Sequence, residues 1–178
     1  EGRITDTLVQ LGMPNVRFEV EVTEKERPDA TGNDHIVFMF SANRNVPMQN
    51  LTQTASGGET ARVMLALKAL IANAEKLPTI IFDEIDTGVS GNIAEKMAEI
   101  MAEIADADRQ VISITHLPQI AAKGKYHYKV FKDDNMFFTA THIVELSLQQ
   151  RVEEIAHMLS GSNLTQAAID NAKELLKN

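Results

Sequence analysis

The stretch Ala55-Ser56-Gly57-Gly58-Glu59, with the apolar run from Thr60 to Ala74 behind it, decides how the rest of the chain is read. Ser56 followed three residues later by Glu59 is a capping box: each side chain takes the other's backbone N–H, so a helix starts here. The first turn carries two glycines, which leave backbone N–H groups uncovered. A bare helix N-terminus attracts anions, phosphate above all. Taken alone, the same string fits an ordinary N-cap on a buried helix at least as well. The residues downstream carry the decision.

The helix opened by the cap runs from Gly57 to about Ala74 and is apolar almost all round, which predicts burial on most sides. After Pro78, Thr79-Ile80-Ile81-Phe82 is a continuous apolar run ending in Asp83-Glu84, the pattern of a central strand in a parallel sheet. Ile93, Met97, Ile100, Met101 and Ile104 mark one face of an amphipathic helix over Asn92 to Ala105. Val111-Ile112-Ser113-Ile114-Thr115 is a second buried strand, ending at His116. Strand, helix and strand in this order make a βαβ unit, and the class is α/β.

Upstream, Ile4, Leu8 and Leu11 have helical spacing, and Gly12 and Pro14 stop that helix. Val16, Phe18, Val20 and Val22 alternate with polar residues as in a half-buried strand. Thr23 to Asp34, polar and holding Pro28 and Gly32, reads as a loop before a second strand at Ile36 to Phe40. Asn43 to Gln53 reads as irregular. Downstream, a short helical segment follows Pro118. Tyr126 to Lys132 and Phe137 to Leu146 then form a hairpin around Asp133-Asp134-Asn135. With Asp134-Asn135 as its loop, His127 would oppose His142, two cross-strand histidines without a third ligand. Helices near Val152–Leu159 and Thr165–Leu176, parted by Gly161, close the chain.

Composition bounds the function. The 178 residues make one domain or part of one, and 44% hydrophobic content supports a sizeable core. The net charge of −8 argues against an autonomous nucleic-acid binder, which needs a basic patch for phosphates. The absence of cysteine excludes disulfides, thiolate metal sites and cysteine nucleophiles, and fits a cytosolic protein. The longest apolar run, Val63 to Ala74, is broken by Lys68 and is too short to span a membrane. The chain opens at Glu1 in what reads as mid-helix, as part of a longer protein would.

Three signals sit where strand or helix ends meet a crevice. Ligands of α/β sheets bind beyond the carboxyl ends of strands. Of the adjacent acids Asp83 and Glu84, one can hold Mg2+ directly or through water, and the other can orient or deprotonate an attacking water. His116 on the neighbouring strand can reach the same crevice and hydrogen-bond a terminal phosphate. Each alone has a plain structural explanation, a solvated strand end or a loop histidine. The ordered set of glycine-rich cap, acid pair and histidine is much harder to obtain by chance.

That set resembles the ATP-binding cassette ATPases. Ala55-Ser56-Gly57-Gly58-Glu59 is similar to their signature motif, Thr79 to Glu84 to their Walker B strand, and His116 to their switch histidine. With Ile81-Phe-Asp-Glu-Ile-Asp-Thr-Gly-Val-Ser-Gly91, Ile114-Thr-His-Leu-Pro-Gln-Ile-Ala-Ala122 and Arg151-Val-Glu-Glu-Ile-Ala-His-Met-Leu-Ser-Gly161, the chain resembles the RecN family, bacterial SMC-like DNA-repair proteins, from about Leu8 to Leu176. The resemblance implies a P-loop NTPase-like fold, specifically the C-terminal lobe of a split ATPase head spanning residues 1–178. Residues 1–12 would be the end of a returning coiled coil, and β-hairpins and C-terminal helices would flank the lobe.

It also implies roles and partners. Ser56, Gly57, Gly58 and Glu59 would meet the γ-phosphate of ATP held by the opposite head, Asp83 would serve Mg2+, and Glu84 and His116 would be catalytic. Asp86, Thr87, Gly88, Val89 and Ser90 would form a loop crossing the head-dimer interface. Ser90 stands where transporter-type cassettes carry Asp, and Asn43-Arg44-Asn45 departs from the Asn-Pro-Gly of the family. The partners would be the N-terminal half of the same protein, a second head bound on ATP, and DNA through the whole protein. The setting would be the bacterial cytoplasm at the nucleoid, with no membrane. The phosphate loop Gly-x-x-x-x-Gly-Lys-Ser/Thr is missing, since Gly124-Lys125 precedes Tyr126 and lacks the upstream glycine; the resemblance assigns that loop to the N-terminal half. The rival readings are a head lobe of another SMC-like chromosome-maintenance ATPase, which Thr87 to Gly91 disfavours, and a non-catalytic interaction module, which the intact Asp83-Glu84 pair disfavours.

Overall fold

A computed structural model describes the chain except Ala55, Lys76, residues 135–138, Ser162 and Asn178, and gives only the backbone of Thr54 and Asp134. Ala55 of the cap motif and Asn135 of the expected hairpin loop therefore lie outside the described residues. The chain divides into two compact units, Glu1–Ile112 and Ser113–Asn178.

In the first unit, α1 (Gly2–Gln10) buries Ile4 and Leu8, the apolar stripe that its sequence spacing predicts. Gly12 then takes φ of +81°, a left-handed turn that a side chain would strain. The strands β1 (Arg17–Asp29) and β2 (Gly32–Ser41) are antiparallel, with Phe18 opposite Phe40 and Val22 opposite Ile36. Ile4, Leu8, Met13, Val16, Phe18 and Phe40 join Val63 and Ala66 in one core.

The expected loop at Thr23 to Asp34 is instead strand on both sides of a tight turn. The Lys25 ammonium holds the turn by donating to Asp29 Oδ1 at 3.0 Å, Thr31 Oγ1 at 2.7 Å and the Gly32 carbonyl at 3.3 Å. Pro28 is accommodated because β1 is an edge strand and the pairing slips between Glu24 and Asp29. Two short elements, β3 (Gln49–Asn50) and α2 (Leu51–Thr54), occupy the end of the stretch expected to be irregular.

The helix α3 (Gly57–Glu75) follows the cap, as expected, and buries Ala61, Val63, Leu65, Ala66 and Ala72. Burial covers most sides, as expected, and only a narrow strip at Met64 and Ile71, 39% and 47% exposed, faces outward over residues 61–72. β4 (Thr79–Asp83) departs from expectation: Ile80 and Phe82 are buried and Ile81 is exposed. The apolar run predicts a strand covered on both faces; this chain covers one. Met97, Ile100, Met101 and Ile104 of α4 (Gly91–Asp106) are buried as their spacing predicts. β5 (Gln110–Ile114) pairs with β4, and the Gln110 N–H donates to the Pro78 carbonyl at 2.9 Å.

The second unit holds α5 (Pro118–Lys123), the hairpin β6 (Tyr128–Asp134) and β7 (Thr139–Glu145), α6 (Leu148–Ser160) and α7 (Gln166–Lys177). Ala122, Ile155, Ala156, Ala168 and Ala172 form its core. The helix α6 starts earlier than its apolar spacing suggests because Ser147 and Gln150 make a capping box. Arg151 donates to the carbonyls of Ala122, Gly124 and Lys125 at 3.2, 2.6 and 3.2 Å, satisfying the backbone where α5 ends.

The hairpin corrects the histidine pairing. Phe131, not His127, opposes His142, and the two rings stack at 5.4 Å. The His127 carbonyl instead accepts the Leu146 N–H at 2.8 Å. Asp134 pairs with Thr139, so four residues lie between the paired strands instead of two, and the register moves accordingly. His127 is also half-buried, and burial lowers its pKa. Among the described residues no group of three or more potential ligands gathers for a metal ion, and no helix is long and apolar enough to cross a membrane.

The contrast between buried and exposed positions of α3 is directly testable. Leu65→Ala, at a fully buried position, should cost about 2–5 kcal/mol, whereas Ile71→Ala on the exposed face should change stability by less than about 0.5 kcal/mol. Urea unfolding of the two variants measures both.

Candidate functional site

The cap at the start of α3 forms as its sequence dictates. The Ser56 N–H donates to Glu59 Oε2 at 3.1 Å, and the Glu59 N–H donates to Ser56 Oγ at 3.4 Å. Ser56 and Gly57 are exposed. Because Ser56 Oγ is the acceptor in the cap, its own hydrogen can point at a further acceptor. Glu59 is occupied as the reciprocal half of the box, so its carboxylate is a capping group in this arrangement. The box takes the N–H groups of Ser56 and Glu59, as its sequence predicts.

The two glycines differ. Nothing lies within 4 Å of where a methyl group on Gly57 would sit. A methyl group on Gly58 would sit 2.5 Å from the Gly88 carbonyl oxygen, which the backbone cannot accept without moving. Gly88 itself takes φ of +74°, and a methyl group there would sit 3.0 Å from the Gly58 nitrogen. The turn of the cap and the loop after the acid pair thus touch backbone to backbone. The structure brings these two predicted segments together; the sequence placed them thirty residues apart without a signal that they meet.

Asp83 ends β4 and Glu84 follows it, both exposed. Glu84 takes φ of +47°, a left-handed conformation that costs a non-glycine residue of order 1–3 kcal/mol. The Thr87 hydroxyl donates to the Glu84 carbonyl at 3.0 Å, and the Val89 N–H donates to the Asp86 carbonyl at 3.1 Å, which closes the loop on itself. Asp86 and Val89 are buried in this loop, while Thr87, Gly88 and Ser90 are exposed. Only the last three can face a partner. Ser90 is the N-cap residue of α4 but makes no side-chain capping bond. His116 is exposed, two residues beyond β5, in the second unit.

Two features escaped sequence reasoning. Arg62, half-buried on α3, donates through Nε to the Gly58 carbonyl at 3.0 Å and through Nη1 to the Leu11 carbonyl at 3.1 Å. Its partners are backbone carbonyls, which no residue pattern announces. The second is a groove of about 500 Å3 in the second unit, lined by Lys129, Phe131, Glu153, Glu154 and His157 among others. It contains none of the predicted site residues, and a Lys129–Glu154 ion pair already engages its charged lining.

Comparison with known proteins sets this geometry in a family context. No protein-family profile matches the chain. It is 41% identical over 176 residues to the DNA repair protein RecN of Rickettsia felis, covering 99% of this chain and 32% of that protein. It is 42% identical to RecN of Deinococcus radiodurans over 167 residues, covering 94% and 29%. The chain spans about a third of the length of these relatives, and the part it matches is C-terminal. Among solved structures it is similar to the Smc head domain with a coiled coil and joint from Pyrococcus yayanosii, at 20% identity and a TM-score of 0.67, covering 89% of this chain and 29% of that one. A chain from a study of ATP-driven dimerisation and DNA-stimulated activation of SMC ATPases matches at 18% identity and a TM-score of 0.57, covering 91% and 94%. The fold is that of the C-terminal lobe of an SMC-type head.

The glycine contact makes a prediction that separates packing from composition. Gly58→Ala and Gly88→Ala should each destabilise the chain, by about 1–3 kcal/mol for Gly88 from its left-handed backbone alone. Gly57→Ala, in open space on a helix, should be neutral or stabilise by up to about 1 kcal/mol. Thermal melts of the three variants read the difference.

Proposed function

We propose that this chain, similar along its length to the C-terminal part of the RecN DNA-repair proteins, supplies one face of a composite ATP site in an SMC-like repair ATPase. In the proposal the site closes when two heads dimerise. The observation that carries the reading is the backbone contact of Gly58 with Gly88, which holds an anion-seeking helix start against the loop behind the Asp83-Glu84 pair.

The residues present fit ATP and Mg2+. Gly57 leaves space for a phosphate to approach the helix start, and Ser56 keeps a hydroxyl hydrogen to donate. Two exposed carboxylates without a ready-made cage suit Mg2+, which is typically held by one or two carboxylates plus substrate phosphates. When bound, the ion would neutralise charge developing on the phosphates. Asp83 would hold it, directly or through water. Glu84 would orient the attacking water and accept its proton. His116 would hydrogen-bond the γ-phosphate. Thr87, Gly88 and Ser90 would face the second head.

The phosphate cradle would come from the N-terminal half of the same protein. The exposed Ile81 and Ile112, on strands whose sequence reads as central, support a missing covering layer. DNA would be engaged through the whole protein, since this chain is acidic.

Three outcomes test the proposal. The isolated chain should release phosphate no faster than its Glu84→Gln variant, because it lacks the cradle. In the intact protein that carries this chain, Glu84→Gln should slow hydrolysis by roughly 10²–10⁴-fold while ATP binding survives, as single-turnover kinetics would read. Finally, Ser56→Arg and a phosphate-loop Lys variant, each inactive alone, should regain activity on mixing, because one composite site of a mixed dimer carries both lesions and the other carries neither. Full activity of Ser56→Arg alone would leave Ser56 a helix cap and nothing more.

A further inference from the structure

The C-terminal end of α1 and the signature turn are separated by some fifty residues, yet one side chain bonds to both. Leu11 is the C-cap residue of α1, where the helix has no partner of its own for the carbonyl. Arg62 Nη1 supplies that partner at 3.1 Å, and Arg62 Nε reaches the Gly58 carbonyl at 3.0 Å. A guanidinium presents donors in a rigid planar fork, so fixing one carbonyl constrains the other. Gly58 in turn sits against the Gly88 carbonyl. A second contact runs in parallel. A methyl group on Gly12, next to Leu11, would sit 2.4 Å from Ile93 Cδ1. Ile93 lies in the first turn of α4, directly behind the loop that holds Gly88 and Ser90. The turn leaving α1 therefore meets α3 through Arg62 and the first turn of α4 through Ile93, the two helices that follow the segments of the candidate site.

We propose that Arg62 is a positioning residue that locks the signature turn to the end of α1, so that a rotation or pull on α1 is delivered to Gly58 and to the Gly88 loop. The inference rests on the composite-site reading for its effect on turnover, but the lock itself does not. Arg62 holds two backbone carbonyls, those of Gly58 and Leu11. Its part is to fix the orientation of the Gly58 carbonyl, and hence of the helix start, that closes on the second head. Removing the fork uncouples α1 from the site without emptying the site of any residue that acts in it.

The test compares Arg62→Met and Arg62→Lys in the intact protein that carries this chain. A lysine keeps the charge but offers one ammonium in place of a fork. Amide hydrogen exchange should speed up at least tenfold at both ends of the lock, at Leu11 to Met13 and at Glu59 to Thr60, in Arg62→Met. The KM for ATP should stay within twofold of the parent, since the cradle is elsewhere, while kcat falls at least tenfold. Arg62→Lys should restore the melting temperature but not kcat. If Arg62→Met fails to fold, Arg62→Lys alone gives both the exchange and the kinetic readings. Unchanged exchange at either end overturns the lock, and a kcat within twofold of the parent at a temperature where the variant is folded overturns its delivery to the site. If the parent protein itself hydrolyses no ATP, the composite-site reading falls, and the exchange measurement still decides the lock.

Discussion

The contact between Gly58 and Gly88 is the constraint on which the candidate site depends. Two backbones approach so closely that Gly58 admits no β-carbon, while one on Gly88 would be tight, and Gly88 adds a left-handed φ of +74°. Such an approach fixes the separation of a helix start and a loop more tightly than side-chain packing, because no rotamer can adjust it. The polar groups around it are arranged accordingly. Ser56 and Glu59 satisfy each other, Thr87 holds the Glu84 carbonyl, and Asp86 and Val89 fold the loop inward. Thr87, Gly88 and Ser90 are left outward, beside the exposed acid pair. A rigid support of this kind suits a site that must be preorganised before a partner arrives.

The apolar surface is distributed in a way that complements this. The core of the first unit is closed around Leu8, Phe18, Phe40 and Val63, while Met64, Ile71 and Ile81 are solvent-facing in the chain. A strand with the composition of a central parallel strand, covered on one face, is costly surface for a finished protein and ordinary surface for one lobe of a larger head. The chain's span of about a third of its RecN relatives agrees with that.

Sequence alone determined the elements whose signals are local. The capping box of α3, the stripe of α4, the alternation of β1 and the carboxyl-end position of Asp83-Glu84 all follow from neighbours a few residues apart. The specific strings around Ser56, Asp83 and His116 also carried the family resemblance, which the matches to RecN support. Tertiary structure alone decided the rest. It turned Thr23 to Asp34 from loop into hairpin, because a lysine folding back on Asp29, Thr31 and the Gly32 carbonyl stabilises a turn that polar composition does not distinguish from an open loop. It set the register of β6 and β7, because pairing depends on how many residues the turn consumes, and that replaced His127 by Phe131 opposite His142. It gave Gly58 a packing role, and it made Arg62 a link between two carbonyls distant in the chain. Backbone groups are the same at every position, so a sequence cannot announce which of them will meet; only the folded path of the chain brings a particular carbonyl within reach of a particular side chain.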